Sequence, residues 1–134
     1  MNFTIFGDPR GKDRPRFTKR GFAYTPRKTR EYEKKVRSAY LSSPDKEHFT
    51  RPVTACIKGV FKIPVSTSKK KRNKLIDTPY IYKCDADNLA KIILDSLNGL
   101  AYDDDSCVTT LVVTKVYGEE PRVEVSLEER DMPT

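Results

Sequence analysis

Residues 85–117 read DADNLAKIILDSLNGLAYDDDSCVTTLVVTKVY, and one change of period inside them sets the fold class. Leu89, Ile92, Ile93, Leu97 and Leu100 recur at helical spacing, which predicts a helix over 85–99 with one apolar stripe. Asn98-Gly99 supplies its stop, since both residues tolerate the backbone that ends a helix. From Cys107 to Tyr117 the period falls to two, the pattern of a half-buried strand. RVEVSL, residues 122–127, alternates in the same way after the turn residues GEEP at 118–121. The two runs predict an antiparallel hairpin.

Upstream, Tyr80–Cys84 reads as a brief extended run, and residues 64–79 as a long basic loop bounded by Pro64 and Pro79. VTACIKGVFKI, residues 53–63, is rich in β-branched and aromatic residues and predicts a strand. Ser42 to Pro52 is a polar connection. Thr25-Pro26 marks a helix start, with Thr25 as N-cap and Pro26 at the first helical position. Tyr32, Val36 and Tyr40 then share one helix face. Residues 8–21, DPRGKDRPRFTKRG, read as a loop, NFTIFG at 2–7 as a short strand, and the residues from Glu128 as a tail. The order β-α-β-α-β-β predicts an α+β domain over 1–134: a small mixed sheet of about four strands packed against two helices.

Composition narrows the function. The 134 residues carry 26 Lys plus Arg against 19 Asp plus Glu, a formal net charge of +7. No apolar run approaches the ~20 residues of a membrane span, and Asp8 interrupts any signal-peptide core. Three widely spaced cysteines, Cys56, Cys84 and Cys107, read as reduced thiols of a cytoplasmic protein. A single histidine, His48, excludes two-histidine metal sites within one chain. Between Arg10 and Arg37 twelve basic residues face three acidic ones, and five of the six residues in KKKRNK (69–74) are basic. Between Asp85 and Asp105 the balance inverts to six aspartates and one lysine. A basic chain with one acidic island points to a polyanion partner. A solvated basic surface beside an ordinary acidic helix end is the alternative.

The acidic island has spacing of its own. Asp87 and Lys91 lie four apart and share a helix face, while Asp85 precedes them in extended backbone. Asp103-Asp104-Asp105 follows the helix, which at a dozen residues is ~18 Å long. The chain after it must fold back for the two acidic groups to meet. If they meet, three carboxylates form a hard-oxygen site for Mg²⁺ or Mn²⁺, completed by water and a phosphate. Otherwise they are a helix cap, a surface ion pair and a turn. An EF-hand is excluded, because Leu89 and Ala90 stand where further ligands and glycine are needed. The chain is also too short for an aspartyl phosphatase and lacks that enzyme's βαβ repetition. Ser-His-Asp catalysis would rest on His48 alone.

The segment KCDADNLAKIILDSLNGLAYDDDSCV, residues 83–108, resembles the RusA family of Holliday-junction resolvases. The matching positions are Asp85, Asp87, Asn88, Leu89, Lys91, Leu94-Asp95, Leu97-Asn98-Gly99, Asp104-Asp105 and Val108. GKDRPRF (11–17), TPRKTREYE (25–33), SKKKR (68–72) and YGEEPRVEV (117–125) extend the resemblance over most of the chain, toward Gram-positive and phage members. It implies a Mg²⁺-dependent endonuclease that nicks four-way DNA junctions symmetrically as a homodimer. It assigns Asp85, Asp87 and Asp105 as the essential metal-binding carboxylates, Lys91 as the essential lysine, and Asp104 as the neighbouring acid. The sequence departs from the pattern at Cys84, where proline or a basic residue is more usual, and in the extra acid Asp103.

The basic tracts follow from this reading. Lys12, Arg14, Arg16, Lys69, Lys70, Lys71 and Arg72 are the expected phosphate contacts, suited to recognising the shape of branched DNA over its sequence. Phe17 and Tyr24, set among cations, are candidates for base stacking. Two rivals stay open: a non-catalytic DNA- or RNA-binding protein with an acidic helix cap, and a nuclease for flaps or RNA.

Overall fold

The apolar residues of strand β4 (Val53–Lys62) explain the architecture, because both of its edges are occupied. In the computed structural model, which describes residues 1–14 and 16–132, β4 lies inside a four-stranded sheet. Strand order is β1-β6-β4-β5, with β1 at Asn2–Phe6, β5 at Val108–Gly118 and β6 at Arg122–Glu129. β4 pairs parallel with β5 and antiparallel with β6, and β6 pairs antiparallel with β1. Val53, Ala55 and Ile57 of β4 join Phe3, Ile5, Val123, Val125 and Leu127 on the buried face. Helices α1 (Arg27–Leu41) and α3 (Ala86–Ser96) complete this core with Tyr32, Val36 and Tyr40, and with Leu89, Ile92 and Ile93. Emptying one such site, as in Ile93→Ala, costs about 2–5 kcal/mol. The α+β class, the mixed sheet and the order of the main elements are as the sequence predicts.

The expected hairpin of residues 107–117 and 122–127 is not formed. β5 and β6 run antiparallel, but β4 lies between them. The GEEP segment crosses the end of β4, leaving Gly118 opposite Lys62 and Arg122 opposite Val60. Two strand spacings are about 10 Å, within reach of four residues. Period two specifies which face a residue occupies and leaves the neighbouring strand open. Here β4, the more apolar strand, takes the shielded position.

Local structure also replaces two predicted loops. Residues 69–75 form a short helix, α2 (Lys69–Leu75), whose N-cap Ser68 accepts a hydrogen bond from the Lys71 amide at 3.3 Å. Lys, Arg and Leu favour helix, yet no residue of α2 is buried, so no apolar stripe announces it. After α2, residues 77–80 hydrogen-bond to the outer edge of β5, in place of the extended run expected at 80–84. Within the other loop, β2 (Arg16–Phe17) and β3 (Ala23–Tyr24) form a small antiparallel ribbon. Strands of two residues are too short to display a period. At α1 the cap is Pro26, whose carbonyl accepts from the Arg30 amide, and no side chain caps the helix. β6 runs through Glu129, so the predicted tail begins later, and its residues 133 and 134 lie outside the described region. No helix among the described residues is long and apolar enough to cross a membrane.

Candidate active site

The N-terminal end of α3 leaves its carboxylates available. Asp85 occupies the N-cap position with extended backbone (φ −65°, ψ 149°), and its carbonyl accepts from the Leu89 amide at 3.0 Å. Its side chain makes no capping hydrogen bond. Asp87 lies exposed in the first turn, and Lys91, also exposed, follows one turn later on the same side. The partial positive charge of the helix N-terminus favours anions here, whether carboxylates or phosphate oxygens.

A loop covers one flank of this end. The Lys12 amide donates to the Asn88 carbonyl at 3.0 Å. Gly11 fits tightly, since a Cβ there would stand 2.9 Å from Cys84 Cβ and 3.1 Å from Asn88 Cβ. The resulting cleft of about 380 Å³ is lined by Arg10, Gly11, Asp13, Lys83, Asp85 and Asn88, among others. Asp13 secures the loop, accepting from Arg10 Nη2 at 2.9 Å and from the Thr29 hydroxyl at 3.0 Å. Burial opposes ionisation of Asp13, but the Thr29 and Arg10 hydrogen bonds outweigh it and hold the carboxyl below its ordinary range. Arg10 Nε and the Tyr32 hydroxyl are buried without a partner among the described residues. Burial also pushes the Cys84 thiol and the Tyr32 phenol upward. A hollow of about 400 Å³ on the open sheet face, beside Lys58 and Glu124, contains none of the predicted carboxylates.

The C-terminal end of α3 engages its acids internally. Asp105 begins a 3-10 turn (Asp105–Cys107), and Asp104 caps that turn by accepting from the Ser106 amide at 3.1 Å. Hydrogen bonds from the Ser106 side chain and then from its amide hold the Asp104 carboxyl below the usual range. Asp105 is shifted the other way. Burial is the main cause, followed by a hydrogen bond to the Asp95 carboxyl and repulsion from Asp104 and Asp95. The Lys12 ammonium stands 3.7 Å from Asp95 and 3.0 Å from Glu33. Asp103 lies 3.1 Å from His48 Nε2, while His48 Nδ1 meets the Leu100 carbonyl at 2.7 Å. Tyr102 fixes the connecting loop by donating to the Leu94 carbonyl at 2.8 Å.

The structure therefore gathers Asp85, Asp87 and Lys91 but places Asp105 beside Asp95. Ten residues of helix separate Asp85 from Asp95, about 15 Å along the axis. Among the described residues, no three His, Cys, Asp or Glu side chains converge to hold a metal ion. Mg²⁺ commonly takes one or two carboxylates and completes its shell with water and substrate phosphate. The uncapped Asp85 carboxylate beside exposed Asp87 fits that requirement as a pair. Asp95 went unrecognised in the sequence as Asp105's partner, although Asp87, Lys91 and Asp95 follow one another at intervals of four. The Lys12–Glu33 pair joins segments 21 residues apart and leaves no local signal.

The predicted phosphate contacts divide likewise. Arg14, Arg16, Lys69, Lys70 and Lys71 are exposed and form no ion pair among the described residues. Lys12 is held by Glu33 and Asp95. Arg72 bonds Glu119 at 3.1 Å and the Pro64 carbonyl at 3.0 Å, bracing α2 against the turn before β6.

The family described as Endodeoxyribonuclease RusA matches residues 7–128. A curated relative, the uncharacterized protein YqaN of Bacillus subtilis (strain 168), is 36% identical over 137 aligned positions, covering 96% of each chain.

Proposed function

The chain belongs to the RusA endodeoxyribonuclease family, and from that premise we propose that it resolves four-way DNA junctions by metal-dependent phosphodiester hydrolysis. The observation that carries this reading is the Asp85 carboxylate, placed at a helix N-cap without capping it, with Asp87 exposed two residues on, in the first turn. Asp85 and Asp87 hold Mg²⁺, with Mn²⁺ a substitute. When bound, the cation supplies Lewis-acid polarisation of the scissile phosphate. Lys91, on the Asp87 side of α3, neutralises charge that builds on the phosphate oxygens. The α3 N-terminus orients the same phosphate through its dipole. Arg14, Arg16, Lys69, Lys70 and Lys71 grip the flanking backbone, fixing register without reading bases.

Asp105 is the third carboxylate that the family resemblance assigns. Its carboxyl lies beside that of Asp95 at the other end of α3, and it has a separate test in Asp105→Asn. Symmetric nicking requires two sites, which a two-fold homodimer provides. Light scattering of the protein, free and junction-bound, reports that state directly. The protein acts in the cytoplasm, where its three unpaired cysteines stay reduced.

Cleavage assays on matched junction, flap, duplex and RNA substrates, each with Mg²⁺ or EDTA, test the reading. Paired nicks in the junction alone, abolished by EDTA, are expected. Salt-sensitive binding without scission in any arm would favour the non-catalytic binding protein, and cutting of flap or RNA in preference would reassign the substrate.

A further inference from the structure

The β2–β3 ribbon buries nothing of its own, yet it is the most aromatic exposed segment of the chain. Phe17, Phe22 and Tyr24 are 70%, 69% and 47% exposed. Isolated surface aromatics are unremarkable, but these three fall within eight residues whose surroundings carry one sign of charge. From Arg14 to Arg30 there are seven cations and no acid.

The ribbon is built to present these side chains. The Thr18 amide donates to the Phe22 carbonyl at 2.8 Å, the Gly21 amide to the Thr18 carbonyl at 2.9 Å, and the Phe22 amide to the Thr18 hydroxyl at 3.1 Å. Gly21 takes φ 85°, the left-handed conformation that closes a three-residue hairpin loop. Arg16 pairs with Tyr24 and Phe17 with Ala23. Facing residues share a side of an antiparallel pair, and alternate residues along a strand return to it. Phe22, Tyr24 and Arg16 therefore share one side, and Phe17 points from the other.

The base of the ribbon stands at the cleft. Asp13 lines the cleft just before one arm, and Thr29 lies just after the other, in α1. The hydrogen bond between them, at 3.0 Å, clamps the two ends together. The paired arms, Arg16–Thr18 and Phe22–Tyr24, span roughly 10 Å, the scale that separates a backbone phosphate at the cleft from the neighbouring bases.

We propose that this ribbon is a base-stacking wedge, with Phe22 and Tyr24 on one side and Phe17 on the other stacking on unpaired nucleobases at a DNA branch point. The inference rests on the junction reading above and adds the element that distinguishes a branch from continuous duplex. Cations draw the ribbon to the backbone of any DNA. Aromatic faces gain only where bases are unstacked.

Two measurements, both in EDTA so that no strand is cut, test it. The first is photocrosslinking to a four-way junction carrying 5-iodouracil at the branch point, followed by tryptic mapping. The expected adduct lies in the peptide Gly21–Arg27 or Phe17–Lys19, and an adduct confined to peptides outside residues 17–27 overturns the proposal. The second is affinity of Phe22→Ala/Tyr24→Ala for junction and matched duplex, with circular dichroism to verify the fold. Junction affinity should fall by about tenfold or more per stacked base, while duplex affinity and the salt slope stay unchanged. Tyr24→Phe should retain junction affinity, since the aromatic face remains.

Equal loss on duplex, or no loss on either DNA, overturns the wedge. So does loss of self-association, or of binding to phosphatidylcholine–phosphatidylserine vesicles, with junction affinity intact. A wild-type protein that crosslinks as expected but never cuts in Mg²⁺ overturns the nuclease reading and leaves the wedge standing. One that does not bind junctions overturns both.

Discussion

The two ends of α3 carry the same side chain in opposite circumstances. At the N-terminal end, Asp85 lines an open cleft and Asp87 is exposed, neither side chain with a hydrogen-bonded partner among the described residues, although Asp85 sits where a cap is expected. At the C-terminal end, the Asp95 and Asp105 carboxyls lie beside one another, the Lys12 ammonium stands 3.7 Å from Asp95, and Asp104 caps a turn. An aspartate that secures a fold has its oxygens engaged. One kept for a cation and a phosphate must leave them available, with charge favoured by the helix dipole.

The largest effect that would break this contrast is catalytic. Asp85→Asn and Asp87→Asn should each lower junction cleavage in Mg²⁺ by about 10²–10³-fold, the scale seen when charge stabilisation of a transition state is lost. Asn caps about as well as Asp, so thermal melts should scarcely move and junction binding should survive. Cleavage at close to the wild-type rate would reduce the N-terminal carboxylates to ordinary surface groups. Lys91→Ala should lose cleavage while keeping most metal affinity, read by Mn²⁺ titration, because lysine is no ligand.

A smaller effect is expected in stability, and at the other end. Lys12→Ala leaves Glu33 and Asp95 without their cation in a partly shielded site, where the Lys12 side chain is 20% exposed. Urea denaturation should show a loss of about 1–2 kcal/mol, between the values for surface and buried pairs. Unchanged stability would mean that Lys12 is available to DNA, as the sequence alone suggests.

The smallest effect is a titration. Asp105 holds its proton more tightly folded than unfolded, so its ionisation opposes folding. That contribution to stability is complete below the unfolded value, about 3.9, and is lost as pH rises through the raised folded value. Carboxyl ¹³C shifts should place Asp105 above Asp104, which its Ser106 hydrogen bonds lower. Asp95→Asn should bring the Asp105 midpoint down by removing a negative neighbour. A midpoint indifferent to Asp95 would dissolve the pair.

Much of this was legible from local pattern. The stripe Leu89, Ile92, Ile93 and Leu97 specified α3, β-branched and aromatic residues specified β4, alternation specified β5 and β6, and Asp87–Lys91 followed from helix geometry. The α2 helix was hidden because charged helix formers without an apolar face look like a loop. The β2–β3 ribbon was hidden because its turn chemistry, centred on Gly21, is not periodic.

Sequence by itself determined which residues lie on which face of α1, α3, β5 and β6, because side-chain direction follows from backbone period within a few residues. It also fixed the charge contrast between basic arms and acidic helix. Tertiary structure decided which elements became neighbours. β4 entered between β5 and β6, Asp105 met Asp95, and Lys12 crossed to Glu33. Each is a contact between segments distant in the chain, chosen by burying the shared core and neutralising charge beside it, and no local period encodes that choice.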